Sequence, residues 1–239
     1  QPYSVIKIEK TSAKEKLAKL CGQGYMAKAP LHLIFCIDFH RLKRWAALEK
    51  APFSADSGFR NFWIAFQDAI ICAQNMGTAA DSLGLGSVYI GPIFDNIKTV
   101  RKMFRLPKGV IPVVSLVIGY PSVKPPIRKR LGKKIVVHNE IYRNIPDGEL
   151  LNPFDEKYKN AKTEINAKNL KTITKACKSV HGDKFASKCL AEIKAKKYIN
   201  RAQLYFGLHY RADKMLFSNP KFLKMLKEAG LGCFTQTKK

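Results

Sequence analysis

The chain has 239 residues, 46% of them apolar, and carries 43 Lys and Arg against 18 Asp and Glu, a formal net charge of +25. That length and apolar share allow a sizeable buried core, and no apolar run reaches the roughly 20 residues that a membrane-spanning helix needs. The charge is uneven, 16 basic against 8 acidic residues over 1–120 and 27 against 10 over 121–239, a field that attracts polyanions and phosphorylated ligands, although a lysine-rich surface accounts for most of it.

Gln1–Glu9 alternates imperfectly and reads as a strand, with Ser4, Ile6 and Ile8 on one side. Ser12 is placed to cap a helix over Ala13–Leu20 that Gly22 ends, followed by a Gln23–Met26 loop. Leu31–Asp38 is an apolar strand after Pro30, and the uneven stretch His40–Gly58 suggests a mobile covering loop. Phe59–Leu83 is a long helix whose Ala69, Ile70, Ala73, Met76, Ala80 and Leu83 recur at buried-face spacing, with Gly84 and Gly86 as its stop. Ser87–Ile90 reads as a short buried strand, then Gly91-Pro92, then a helix Ile97–Phe104 that Asp95 or Asn96 could cap and Pro107 closes. Val110–Ile118 is a β-branched strand closed by Gly119-Tyr120-Pro121. Beyond it, 124–134 is an extended basic linker, Ile135–His138 a short strand and Tyr142–Lys162 polar loop; Asn169–Val180, Phe185–Ala202 and Pro220–Ala229 are lysine-faced helices.

The run Ala73–Pro121 carries a set of short motifs in fixed order: Ala79-Ala80-Asp81-Ser82-Leu83-Gly84-Leu85-Gly86, Val88-Tyr89-Ile90-Gly91, Leu106-Pro107, and Val117-Ile118-Gly119-Tyr120-Pro121. On these the chain resembles the FMN-dependent nitroreductase and flavin reductase family, within it the NADPH-preferring type A branch, from Gln1 to about His138 and loosely beyond. The resemblance implies an α+β fold, a mostly antiparallel sheet flanked by helices. A core FMN-binding region over 1–140 and a basic helical extension of the same domain over 141–239 are expected. It also implies a homodimer with FMN at the subunit interface.

The site follows from the same comparison. The glycine elbow Tyr89-Ile90-Gly91 lets backbone approach a flat ring, with an N–H available to a ring atom; Pro92, where a second glycine is common in the branch, removes one donor. Gln23 and Tyr25, in a Gly-Gln-x-Tyr loop, would reach the pyrimidine edge, an amide both donating and accepting. Arg128 and Arg130 match the two basic positions that hold the FMN phosphate, and guanidinium forks suit that group. Arg201 falls where the branch places an arginine for the 2′-phosphate of NADPH; a second such arginine is replaced near Asn219, which leaves NADH open as donor. The N-terminal helix and basic motif of the family are missing before Gln1, so the expectation is a truncated start.

Other constellations are weaker. Cys177, His181 and Cys189 lack the short-spaced pairs of a zinc site, and no metal is expected. No nucleophile–base–acid set or paired carboxylates stand out, so no protein residue is assigned as catalytic. The six cysteines form no CxxC pair and suit a reduced, cytoplasmic protein. The expected activity is reduction of nitroaromatics, quinones or free flavin by NADPH or NADH through FMN, which carries the chemistry while protein orients it. The alternatives are another acceptor on the same fold, such as reductive dehalogenation, and a non-catalytic basic protein binding nucleic acid. Against the last, the basic helices lack interleaved aromatics.

Overall fold

Residues 1–123, 126–215 and 218–233 are described here from a computed structural model. Among them four strands form one antiparallel sheet in the order β1-β2-β4-β3: β1 (Tyr3–Ile8), β2 (Leu31–Asp38), β3 (Gly86–Ile90) and β4 (Val110–Gly119). The register runs Tyr3 opposite Ile37, Leu31 opposite Ile118 and Gly86 opposite Gly119. A bulge falls where Phe35 faces Val114 while Cys36 faces Pro112, as expected next to a proline that cannot donate to the ladder.

The two central strands are buried on both faces, and strand alternation sorts their side chains into two cores. Leu33, Phe35 and Ile37 lie in one cluster with Phe62, Ala65, Ala69 and Ala73 of α3 (Phe59–Ser82). Ile34 and Cys36 lie in the other with Leu17, Ala18 and Cys21 of α1 (Thr11–Cys21) and Val100 of α4 (Ile97–Met103). The stripe Ala65, Ala69, Ala73, Gly77, Ala80 explains the close seat of α3, since residues at four-residue spacing share one helix face. Small side chains set that face; Met76 and Leu83, expected inside, are 39% and 74% exposed. β3 is an edge strand with Ser87, Val88 and Tyr89 exposed, so the expected burial of that strand holds only at Ile90.

Several local expectations need correction. Lys10, not Ser12, precedes α1, and no side chain caps it; Gly22 and Gly84 do take the left-handed conformation at the helix ends. The stretch expected to be a covering loop is α2 (Phe39–Leu48), capped by Asp38, whose carboxylate accepts from the Arg41 N–H at 2.9 Å and from Ser4 Oγ of β1. Arg41 then reaches back to the carbonyls of Gln1 and Tyr3, at 2.8 and 2.6 Å, so one buried carboxylate ties β1, β2 and α2 together. Asn96 precedes α4 but spends its side chain on the Pro92 carbonyl at 2.8 Å instead of capping. Where a strand was expected at Ile135–His138 there is a short helix α5 (Lys133–Val136), and the polar stretch after it contains α6 (Asp147–Lys157). Lys124 and Pro125, the start of the expected linker, lie outside the described residues.

Contacts divide the chain into two units, Gln1–Lys124 with Pro220–Lys239, and Pro125–Asn219. The expected boundary at residue 140 falls inside the second unit, and the last segment belongs with the sheet. There Leu226 of α10 (Asn219–Glu228), with Ala229 and Leu231 just after it, enters the α3-side core. Gly109 N–H donates to the Ala229 carbonyl at 2.8 Å and Gly232 N–H to that of Asp56 at 3.0 Å. Gly230, at φ +87, allows this approach: a Cβ there would stand 3.0 Å from the Gly109 nitrogen. The second unit is helical, with α7 (Ala167–His181), α8 (Asp183–Lys196) and α9 (Ala212–Met215). Its core is Ile173, Ile193 and Ile199 with Leu204 and Leu208 around them. No described helix is long and apolar enough to cross a membrane.

One buried titratable group sits in the sheet. His32 is fully buried in β2, and its Nε2–H donates to the Met26 carbonyl at 2.7 Å while Nδ1 has no partner. Burial lowers its pKa from 6.5, nearby Lys14 adds to that, and the carbonyl bond opposes it. The unfolded ring therefore binds a proton before the folded one does, so its contribution is present above the unfolded value of about 6.5 and lost as pH falls below it. Urea midpoints are expected to drop between pH 7.5 and 5.5 by more in the native protein than in a His32→Gln variant. Equal drops would rule out His32 as the source.

Candidate functional site

The site residues named from sequence fall in both units. In the first, β3 ends at Ile90, 2% exposed and packed in the α1-side core. Gly91 then opens a 3-10 turn, Gly91–Asn96, that packs on β4 and α1. A Cβ at Gly91 would meet nothing within 4 Å, so the backbone here borders open space. The leading N–H groups of such a turn have no acceptor within it, and Pro92 supplies none. Ile93, fully buried, and the Asn96–Pro92 bond hold the turn in shape.

Gln23 immediately precedes a second 3-10 turn, Gly24–Ala27, where a loop was expected. Met26 is fully buried beneath this turn while Tyr25 is 49% exposed and Gln23 half-buried. Met26, Ile90 and Ile93 belong to one apolar cluster, so the Gln23–Tyr25 turn and the Ile90–Gly91 turn stand on a common foundation. Helix α1 completes it, packing against both. Tyr89 is separated from its neighbour by strand alternation: its hydroxyl donates to Gln74 Oε1 of α3 at 3.1 Å, on the other face of the sheet. Burial pushes the Tyr89 phenol above its ordinary pKa.

The three arginines lie in the second unit. Arg128 and Arg130 are exposed, in a stretch without regular structure, and between them Lys129 is ion-paired with Glu156 of α6. That pair lowers the Glu156 pKa and ties the middle residue of the tripeptide down. Arg201 is half-buried instead of displayed. Its Nη2 donates to the Tyr205 hydroxyl at 2.8 Å, and its guanidinium carbon lies 4.3 Å and 5.6 Å from the Tyr205 and Tyr158 ring centres, while Nε is buried without a partner. The arginine lowers the Tyr205 pKa through that hydrogen bond first of all. Sequence reading had no signal for this aromatic cradle, because Tyr158 is distant along the chain.

Chemically, the first unit offers backbone N–H groups and an amide beside an apolar floor, suited to orienting a flat heteroaromatic ring. The second offers guanidinium groups suited to phosphate. Among the described residues no three His, Cys, Asp or Glu side chains are grouped to hold a metal ion.

A family model described as the Nitroreductase family matches residues 3–120. Over 157 residues the chain is 36% identical to the oxygen-insensitive NADPH nitroreductase of Salmonella typhimurium, which covers 65% of this chain and 63% of that protein. It is 35% identical over 148 residues to an FMN reductase [NAD(P)H] of Bacillus subtilis, covering 60% and 59%. The chain thus spans about three fifths of the length of these curated relatives. Among solved structures, B. megaterium NfrA2 superposes with a TM-score of 0.63 at 28% identity, covering 96% of this chain and 80% of that one.

Proposed function

The chain belongs, through residues 3–120, to the nitroreductase family, and we propose that it is an FMN-dependent NAD(P)H oxidoreductase acting on nitroaromatics, quinones or free flavin. The observation that carries this reading is the Ile90–Gly91 strand exit, where a side chain locked in the core presents exposed backbone to open space. That arrangement fits a flat ring, and the neighbouring Gln23 amide, on the same apolar foundation, suits its polar edge. Bound FMN would supply the redox chemistry, accepting a hydride from NAD(P)H and handing electrons to the acceptor.

The chain's own part is to bind and orient. Gly91 and Ile90 would set the depth of the ring, Gln23 and Tyr25 its rotation, and Tyr89, braced on Gln74, the strand that carries the elbow. Arg128 and Arg130 would hold the FMN phosphate. Arg201 would meet the 2′-phosphate of NADPH through whatever guanidinium N–H groups Tyr205 leaves available, so NADH also remains in the proposal as donor. No residue is assigned to proton transfer.

The homodimer belongs to the same proposal. The outer face of α3 leaves Trp63 and Ile71 54% and 63% exposed, and Tyr3, Asp68, Ile71, Cys72 and Met76 line a groove of about 740 Å³ beside it. Apolar surface of that kind on a long helix suits a second copy. The proposed location is the cytoplasm.

An absorbance spectrum of the purified protein tests the reading, taken with added FMN and again after NADPH under nitrogen. Flavin bands that bind and then bleach are the expected result. A protein that stays colourless after FMN addition and dialysis would refute it.

A further inference from the structure

The helical unit contains a cavity of about 550 Å³, within the range of roughly 300–1,000 Å³ typical of small-molecule sites. Helices α7 and α8 form two of its walls, with Cys177 and Val180 on the first and Phe185, Lys188 and Cys189 on the second. The third wall is the segment Gln203–His209, wound as a π-helix. Such wide turns are rare and concentrate at functional sites, because they give up regular hydrogen bonding to re-aim side chains. Here Gly207 is buried so tightly that a Cβ would lie 2.9 Å from Ile173 Cγ1 of α7, while adjacent Phe206 stays 57% exposed at the cavity.

Two features describe what the cavity would accept. Val180 and Phe185 are 45% and 47% exposed and join Phe206 at the same opening, so apolar and aromatic surface there is left to water. Burial, then the hydrogen bond that the Cys189 S–H donates to Cys177, pushes the Cys189 thiol up to about 12 and keeps it neutral. The unit around the cavity is basic. Residues 125–219 hold 21 Lys and Arg against 9 Asp and Glu. The acidic side chain of the lining, Glu192, is already paired with Lys196 at 2.7 Å, while Lys188 lines the cavity with no ion pair among the described residues.

We infer that this cavity is a binding site for a small aromatic anion, its ring seated against Phe185 and Phe206 and its acidic group at Lys188. The site is built from residues of the helical unit alone and does not depend on the flavin reading.

Titration calorimetry of the full chain with anilinonaphthalene sulfonate, an aromatic anion, tests it. One site is expected, retained in the presence of saturating NADPH. Val180→Trp, which places an indole in the opening from an exposed position, should weaken binding by about tenfold or more. Lys188→Glu should weaken it by about tenfold, and Lys188→Arg should leave it nearly intact. Lys188 is exposed, so its variants decide the matter even if Val180→Trp unfolds the unit, which circular dichroism would reveal. Absence of binding heat, displacement of the probe by NADPH, or equal affinity in native and Lys188→Glu proteins would each overturn the assignment.

Discussion

Phe35→Ala is expected to lower the unfolding free energy of the sheet unit by about 3–5 kcal/mol, the range for deleting a fully buried phenylalanine. Phe35 is 0% exposed, sits in a central strand at the bulge opposite Val114, and touches the cluster built on α3. The stripe of alanines facing it cannot expand to fill the space, so the cavity would persist. Against a total stability of about 5–15 kcal/mol this loss is large enough to deplete the folded protein at 37 °C. Both tryptophans, Trp45 and Trp63, belong to the sheet unit, so their fluorescence in urea reports that unit and not the helical one. A shifted midpoint with unchanged slope is the expected pattern. A loss below about 1 kcal/mol would mean that the core closes over the gap.

The double variant Arg128→Ala, Arg130→Ala is expected to weaken FMN binding by roughly a hundredfold or more while leaving thermal stability within about 0.5 kcal/mol of the native protein. Each charge-assisted bond to a phosphate contributes about 1.5–3 kcal/mol, and both side chains are exposed, so folding does not depend on them. Lys129→Ala is the matched control. It removes the ion pair with Glu156, an exposed pair of the kind that contributes little, and so should change FMN affinity far less. Titrating flavin-free protein with FMN gives the answer. An affinity within about threefold of native in the double variant would remove these arginines from the site.

The sheet and its central helix were legible because their residues have one reading. Leu31–Asp38 is an unbroken apolar run bounded by a proline and a carboxylate, and it forms a strand over those same residues. Helix α2 was hidden because its start depends on Asp38, which looks like the end of a strand until its side chain is seen to accept from Arg41. Ile135-Val136-Val137 has strand propensity, yet the residues from Lys133 wind as a helical turn, tertiary context overriding a weak local preference. The polar stretch expected to be loop winds as α6, which keeps Pro153 inside a helix. Among candidate site residues, sequence order placed Ile90 and Gly91 at a strand exit, which they occupy. It could not show that Met26 and Ile93 seat the Gln23 and Gly91 turns in one cluster, since such clustering is set by packing between distant segments. Nor could it show that Arg201 lies against Tyr205 and Tyr158. Cys177 and Cys189 drew notice as metal ligands, but what they line is an apolar cavity, a property of three helical walls that no spacing rule encodes.

The way the final segment rejoins the sheet bears on how the molecule is made. Leu226, Ala229 and Leu231 fill a core whose other members lie before residue 120, and Gly109 and Asp56 receive their backbone partners from Ala229 and Gly232. A ribosome therefore finishes every strand of the sheet long before the piece that closes it, whereas the helical unit, with its local contacts, is complete as soon as it emerges. During synthesis the nascent sheet waits with part of its α3-side core uncovered, the period in which chaperone capture or misassembly has its chance. Deleting the last turn of α10 with Leu231 should prolong that wait, and would be felt first as lower yield of soluble protein.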